Sequence, residues 1–241
     1  MQNQENLQLG LFLTAPYECS YLPNKTARSQ VIVQAEWVNT SVYGALIEQG
    51  FRRSGISTYR PRCDQCQACV SVRLCVDDFQ PSKTQKRMFK KHAQELDIAI
   101  IEQPIFEAEH YALYERYQQL RHAEKAPETT PESYADFLIH SYVDTQFLCF
   151  RDKQGILRMV SVFDRVHNGL SAVYTFYDPE YKGSLGTFAV MCLADLCVQW
   201  ELPYLYLGYW VKDSEKMHYK THYQPLEFYA KDQWSRQVLN F

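Results

Sequence analysis

"LSAVYTFYDPEYKGSLGTFAVMCLADLCVQW", residues 170–200, reads as a strand, a turn and an apolar helix in unbroken succession. Before it, "TQFLCFR" (145–151) and "LRMVSVFDRV" (157–166) are strand-like, with hairpin turns expected at Asp152 to Gly155 and at Asn168–Gly169. After it come a strand, "PYLYLGYWV" (203–211), a short helix, "SEKMHYKTH" (214–222), and a last strand, "LEFYAK" (226–231). Upstream, "DIAII" (97–101) is a short strand, followed by helices in "FEAEHYALYERYQQLRH" (106–122) and "TTPESYADFLIHSY" (129–142). Thr130 before Pro131 makes a cap and first helical residue for the second of these. From residue 97 the predicted order is therefore β-α-α-β-β-β-α-β-α-β.

That order, α+β in class, resembles the GNAT-like acyltransferase fold. In such a fold an anionic acyl carrier sits where a central strand meets the next helix, and a helix N-terminus suits an anion. Here the junction is "YDPEYKGSLGT", residues 177–187. Its "KGSLGT" departs from the Q/R-x-x-G-x-G/A pattern expected of a coenzyme A loop. Gly183 and Gly186 are candidates for an acyl or oxyanion turn, or simply make the bend.

The chain of 241 residues, 46% hydrophobic, is long enough to bury a sizeable core. It has no stretch of about 18 apolar residues and no signal-peptide pattern, so a cytoplasmic protein is expected, with no membrane partner. Its net charge of −3 is unevenly spread. Residues 52–91 carry ten basic and three acidic side chains, while the remainder is acidic. A basic block in an acidic protein points to a polyanion met at one face, or else is ordinary solvated surface. Within it, "PSKTQKRMFKKHAQEL" reads as a helix capped by Ser82. Lys83, Lys86, Arg87, Lys90 and Lys91 share one side of that helix, and Phe89, Ala93 and Leu96 form a narrow apolar stripe. Ahead of it, "SVYGALIEQGFRRSG" (41–55) suggests a helix ending at Gly50.

Of eight cysteines, Cys149, Cys192 and Cys197 fall in apolar runs and read as small core residues. Cys63, Cys66 and Cys69 form C-x2-C-x2-C, with Cys75 and Cys19 outside it. Together Cys19, Cys63, Cys66 and Cys69 could hold zinc or an iron–sulfur cluster, although no second C-x2-C pair completes a four-ligand site. A reduced cysteine-rich knot is the alternative. His218 and His222 are four apart but lack the H-E-x-x-H context of a zinc pair. The chain thus divides into a small cysteine-rich N-terminal domain (1–80), a basic connecting helix (81–96) and a GNAT-like domain (97–241).

Three long stretches, "YECSYLPNKTARSQVI", "LIEQGFRRSGISTYRPRCDQCQACVSVRLCVDDFQPSKTQKR" and "LPYLYLGYWVKDSEKMHYKTHYQPLE", are similar to the bacterial aminoacyl-tRNA–protein transferases, and more narrowly to their leucyl-transferring branch. The resemblance covers nearly the whole chain. It implies transfer of leucine from Leu-tRNA to the α-amine of proteins or peptides beginning with Asp or Glu, a step of the N-degron pathway of protein degradation. No cofactor is required, since an aminoacyl ester is already activated. On this reading Arg52, Arg53 and Arg73 are candidates for the acidic N-terminal residue, because a guanidinium pairs bidentately with a carboxylate. Their alternative role is to pair with the acidic C-terminal module. The face from Lys83 to Lys91 would hold tRNA through its phosphates. Asp178 is a candidate general base. Cluster binding by arginyl-transferring relatives does not carry over, because their paired-cysteine motif is reduced here to Cys19 in "PYECSYL". Two other functions fit parts of the sequence: an acetyl-CoA-dependent N-acetyltransferase, and a non-enzymatic RNA-binding module with a zinc knuckle.

Overall fold

Asn39 accepts a hydrogen bond from the Val42 amide and so opens α1 (Thr40–Glu48); two residues beyond it, Gly50 turns the chain back at φ +81°. In this computed structural model, which describes residues 8–121 and 129–236, α1 lies among short strands. These are β1 (Leu11–Leu13), β2 (Tyr17–Glu18), β3 (Thr26–Ala27), β4 (Ser29–Ile32), β5 (Arg52–Ser54) and β6 (Ser57–Pro61). They form a four-stranded antiparallel sheet, β1-β4-β6-β5, and a small β2-β3 pair.

The next strand, β7 (Val70–Cys75), is buried along its whole length. A capping box between Ser82 and Gln85 then starts α2 (Lys83–Glu95), as the sequence predicts. Its apolar packing differs from the expected stripe: His92 is buried and Ala93 exposed, because His92 packs on Phe188 at a ring separation of 5.3 Å. Then follow β8 (Leu96–Ile101), α3 (Ala108–Arg121), α4 (Pro131–Tyr134), β9 (Thr145–Asp152), β10 (Leu157–Val166), β11 (Gly169–Tyr177), α5 (Leu185–Gln199), β12 (Tyr204–Trp210), a 3-10 segment (Glu215–His222), β13 (Leu226–Ala230) and β14 (Gln233–Ser235). The predicted helix over 106–122 loses its first two residues, and its last residue lies outside the described residues. The second predicted helix is short, because α4 gives way after one turn to a π-helical stretch, Ala135–Ile139. The second hairpin turns through His167 and Asn168, with Val166 paired to Gly169.

The architecture is α+β, built on one eight-stranded mixed sheet in the order β14-β13-β7-β12-β11-β10-β9-β8. Every neighbouring pair is antiparallel except β11 and β12. A parallel pair needs a crossover, and α5 supplies it. Ten residues of α5 are buried, and Phe188 sits among Phe89, Phe150 and His92. Burying one such ring contributes about 1.5–3 kcal/mol. A second cluster joins Leu113 and Tyr114 of α3, Tyr134 of α4 and Leu138 to Phe147, Val160 and Phe176 of the sheet. A third seats Tyr43 and Ile47 of α1 against Val166 and Tyr206.

Residue 80 does not divide the chain as cleanly as the sequence suggests. β7 lies before it, yet pairs with β12 and β13 in the large sheet. A strand hydrogen-bonded on both sides belongs to the sheet it completes. Among the described residues no helix is long and apolar enough to cross a membrane.

Candidate active site

The parallel ladder between β11 and β12 has only three rungs, Gly169–Tyr204, Leu170–Leu205 and Ser171–Tyr206. Both strands run on, to Tyr177 and Trp210, without pairing to each other. The unpairing coincides with an irregularity in β12, whose register against β7 shifts between Tyr206 and Gly208, the latter at φ +79°. A fork between parallel strands is a natural binding site in such sheets.

Two cations occupy this fork. Arg52 reaches in from β5 and donates from Nη1 to Ser171 Oγ (3.0 Å) and from Nη2 to the Ala172 carbonyl (2.5 Å). It passes Gly208, whose φ of +79° favours glycine; a Cβ there would make only ordinary contact with the guanidinium, 3.4 Å from Nε. Opposite, the Lys220 amine donates to the Tyr209 carbonyl of β12 at 2.5 Å. Burial pushes the Lys220 amine down to about 7, helped by repulsion from Arg52. Both side chains are less than a tenth exposed.

The other two candidate arginines are committed elsewhere. Arg53 grips Asp164 with Nε (2.7 Å) and Nη2 (2.5 Å), and also bonds Thr145 Oγ1 and the Gly55 carbonyl. Arg73 pairs with Glu227 at 2.7 Å, and its guanidinium stacks over Tyr204 at 3.5 Å and Trp234 at 4.3 Å. Adjacent strand residues point to opposite faces, so Arg52 and Arg53 diverge. Of the three, Arg52 alone lacks a carboxylate partner among the described residues.

At the end of β11, Asp178 is buried and both its oxygens are taken. Arg158 Nη1 donates to one at 2.6 Å, while Arg116 Nη2 (3.2 Å) and the Glu180 amide (3.1 Å) approach the other. So held, Asp178 fixes the turn into α5. A cavity of about 430 Å³ opens beside it, lined by Lys91, Glu95, Arg116, Arg158, Tyr181 and Lys182. Gly183 has φ +131°, and a Cβ there would come within 2.5 Å of the His92 ring. This close approach locks α2 to the turn. Gly186 differs, with nothing within 4 Å of its Cβ position. Ser184 gives α5 no side-chain cap, which leaves the first amides of the helix open to an anion.

On α2 the side chains of Lys83, Lys86, Arg87, Lys90 and Lys91 are all exposed. Among the described residues their only ion pair is that of Lys91 with Glu95, at 3.8 Å. Lys91 borders the Asp178 cavity, so the basic face and the turn adjoin.

Cys19, Cys63, Cys66 and Cys69 line a separate cavity of about 1000 Å³ with Tyr17, Tyr21, Tyr59 and Arg60. Burial pushes the Cys69 thiol up to about 12, with Cys63, Cys19 and Cys66 adding to the effect. Among the described residues no three His, Cys, Asp or Glu side chains converge as metal ligands. The Cys19 sulfur instead accepts from the Leu22 amide at 3.4 Å. Cys75, Cys149, Cys192 and Cys197 are buried, the last three as the sequence predicts.

The sequence does not reveal Lys220, Arg116 or Arg158. "SEKMHYKTH" reads as a short helix with mostly polar side chains, and only the fold shows that one lysine in it is enclosed.

Comparison with known proteins gives this geometry a family. Residues 17–87 match the arginine-tRNA-protein transferase N terminus, and residues 109–230 match the C terminus of the same family. The aspartate/glutamate leucyltransferase of Polynucleobacter asymbioticus is 44% identical over 233 residues, covering 94% of this chain and 93% of that protein. The aspartate/glutamate leucyltransferase of Chromobacterium violaceum is 46% identical over 229 residues, with 92% of each chain covered. Among solved structures, L-PGS from Bacillus licheniformis is 12% identical and covers 60% of this chain and 46% of its own, at a TM-score of 0.48, too slight a likeness to bear on function. By the two matched halves and the near full-length relatives, the chain belongs to the arginine-tRNA-protein transferase family.

Proposed function

We propose that the protein is an aminoacyltransferase that moves leucine from Leu-tRNA to the α-amine of proteins or peptides beginning with Asp or Glu. The observation that carries this reading is the near full-length identity of 44–46% to proteins named aspartate/glutamate leucyltransferase. The mixed sheet, with its crossover helix and its fork, supports a GNAT-like acyltransferase arrangement in the C-terminal part. Marking proteins for degradation would make this a cytoplasmic step.

The chemistry asks little beyond positioning. The neutral α-amine attacks the ester carbonyl carbon, a C–N bond forms, and the C–O bond to the terminal ribose breaks. The amine gives up a proton and the leaving ribose oxygen gains one. A free α-amine has a pKa of roughly 7.7–8.0, so part of it is neutral at pH 7. Holding amine and ester together supplies much of the acceleration, and donors aimed at the developing oxyanion supply more. The open amides at the start of α5, beside Gly186, suit that oxyanion. The exposed cations of α2 suit the phosphates of the tRNA acceptor arm. In this scheme Asp178 positions the turn.

The test is transfer of radiolabelled leucine or arginine from charged tRNA to peptides beginning with Asp, Glu or Lys. Label on Asp and Glu peptides from Leu-tRNA alone is the expected result. Transfer from Arg-tRNA would reassign the donor, and transfer to Lys peptides would remove the acidic specificity. A protein that binds tRNA and transfers nothing would be an RNA-binding module instead.

A further inference from the structure

We propose that Arg52 and Lys220 together form the seat for the side-chain carboxylate of the acceptor's N-terminal residue. The inference rests on the leucyltransferase reading and assigns it a second, unexpected cation.

Buried arginines elsewhere in the molecule are neutralised from within. Arg53 has Asp164, and Arg73 has Glu227; the half-buried Arg158 has Asp152 and Asp178. At the fork the pattern stops. Neither Arg52 nor Lys220 has a carboxylate within 4.0 Å among the described residues, although each is less than a tenth exposed. Two buried cations without a counter-charge are costly, and repulsion between them adds to the cost. An arrangement this unfavourable in the free protein becomes favourable once an anion sits between the two strands.

The donor count leaves room for that anion. A guanidinium has five N–H groups, and two of those on Arg52 go to Ser171 and Ala172. An ammonium has three, of which Lys220 directs one to the Tyr209 carbonyl and one, more weakly, to Met217 Sδ at 3.7 Å. Both cations are anchored on carbonyls of the two strands that part, so the free donors are held in place.

A carboxylate fits better than a phosphate. Phosphates of a long polyanion are met by exposed, mobile lysines, as on α2, whereas a small carboxylate can be taken out of water into a fixed, enclosed seat. Placed here, it would hold the acceptor's α-amine within the fork, between Ala172 of β11 and Tyr209 of β12.

Lys220 also links the seat to protonation. The titratable groups around it are Arg52 of β5, Tyr209 of β12 and Tyr219 of its own segment, with Tyr59 of β6 and Tyr43 of α1 beyond Tyr209. Burial pushes all four phenols up, so they stay neutral at pH 8. The amine, sitting near 7, is largely neutral at pH 8 and takes up a proton when a carboxylate arrives.

The experiment measures peptide binding by calorimetry, without tRNA, alongside leucine transfer. Peptides beginning with Asp and with Asn are compared on the unaltered protein, Lys220→Met, Lys220→Arg and Arg52→Gln. The unaltered protein should prefer the Asp peptide and take up a proton at pH 8 for it, beyond any uptake with the Asn peptide. Lys220→Met and Arg52→Gln should each weaken Asp-peptide binding about ten- to hundredfold, the size of a missing charge-assisted hydrogen bond. Lys220→Arg should retain the preference without the proton uptake. The unaltered protein's preference for the Asp peptide over the Asn peptide is required of the seat even if a variant fails to fold. Undiminished preference for Asp over Asn in both charge-removing variants, or no such preference in the unaltered protein, would overturn the seat. So would a rise in KM for Leu-tRNA with the peptide KM unchanged, which would make the pair a phosphate site. Asp-peptide binding with no leucine transfer would keep the seat and remove the leucyltransferase reading instead. Transfer with no effect of Lys220→Met on peptide KM would do the reverse.

Discussion

Arg53 Nε and Nη2 meet the two oxygens of Asp164 at 2.7 and 2.5 Å, and neither side chain is more than 1% exposed. The pair ties β5 of the first sheet to β10 of the large one across 111 residues of sequence. Asp164→Ala leaves a buried guanidinium without a partner and should destabilise the fold by about 3–5 kcal/mol. Arg53→Met combined with Asp164→Leu removes both charges and should cost less than Asp164→Ala alone. Urea unfolding of the three proteins checks the order. A double variant as unstable as Asp164→Ala would mean that shape, not charge pairing, fixes the two strands together.

The exposed face of α2 gives a prediction of a different kind. Changing Lys86, Arg87 and Lys90 to Gln should weaken tRNA binding at every salt concentration, with little effect on the KM of the acceptor peptide. Each phosphate left without its cation should lower the slope of log K against log salt by roughly 0.7–0.9. Since these side chains are exposed and unpaired among the described residues, thermal stability should barely change. A steep drop in peptide affinity in the triple variant would place the tRNA elsewhere.

Gly183 and Gly186 separate two jobs that look alike in the sequence. Gly183→Ala adds a methyl 2.5 Å from the His92 ring at a φ of +131°, so both the backbone and the packing on α2 must give way. A loss of about 1–3 kcal/mol is expected, with falling activity as a consequence of the displaced turn. Gly186→Ala meets nothing within 4 Å, and stability should hold or rise by about 0.5–1 kcal/mol. If the ester approaches the start of α5 closely, Gly186→Ala should nevertheless lower kcat. Melting temperature against kcat for the two variants distinguishes the cases. Full activity in Gly186→Ala would move the oxyanion away from this amide.

How far these features can be read from the sequence varies with what defines them. The run from β9 to β12 is legible because each element is long and its pattern is its own, and Ser82 with Gln85 spells out the start of α2. β7 is not, since "VSVRLC" carries a charge at its centre that only its tertiary partners explain, Glu227 by pairing and Tyr204 and Trp234 by stacking. β2, β3 and β5 are too short for any periodicity. The site shows the same limit more sharply. Arg52 and Arg53 are neighbours of identical chemistry, and their fates differ because Asp164 lies on one side of β5 and the strand fork on the other. Lys220 sits in a short, polar 3-10 segment whose enclosure depends on β12 and β5, neighbours that no local pattern encodes.

Lys220 should also leave a mark on folding. Its amine is pushed down to about 7 in the native state from an ordinary value of 10.5. Between those limits the unfolded chain holds a proton that the native protein has released, so this group makes stability rise with pH. Below about 7 both states are protonated and its contribution to the slope vanishes. One proton corresponds to at most about 1.4 kcal/mol per pH unit. From pH 7.5 to 9.5 the buried thiols of Cys69, Cys149, Cys192 and Cys197, which burial pushes up, act in the opposite sense, so the difference between the two proteins is what reports on Lys220: stability of the unaltered protein should rise more steeply, or fall less steeply, with pH than that of Lys220→Met. Urea unfolding at intervals of half a pH unit measures both slopes. Parallel profiles would mean that the Lys220 amine keeps its proton in the folded protein. The fork would then hold two permanent cations, and peptide binding would bring no proton uptake at pH 8.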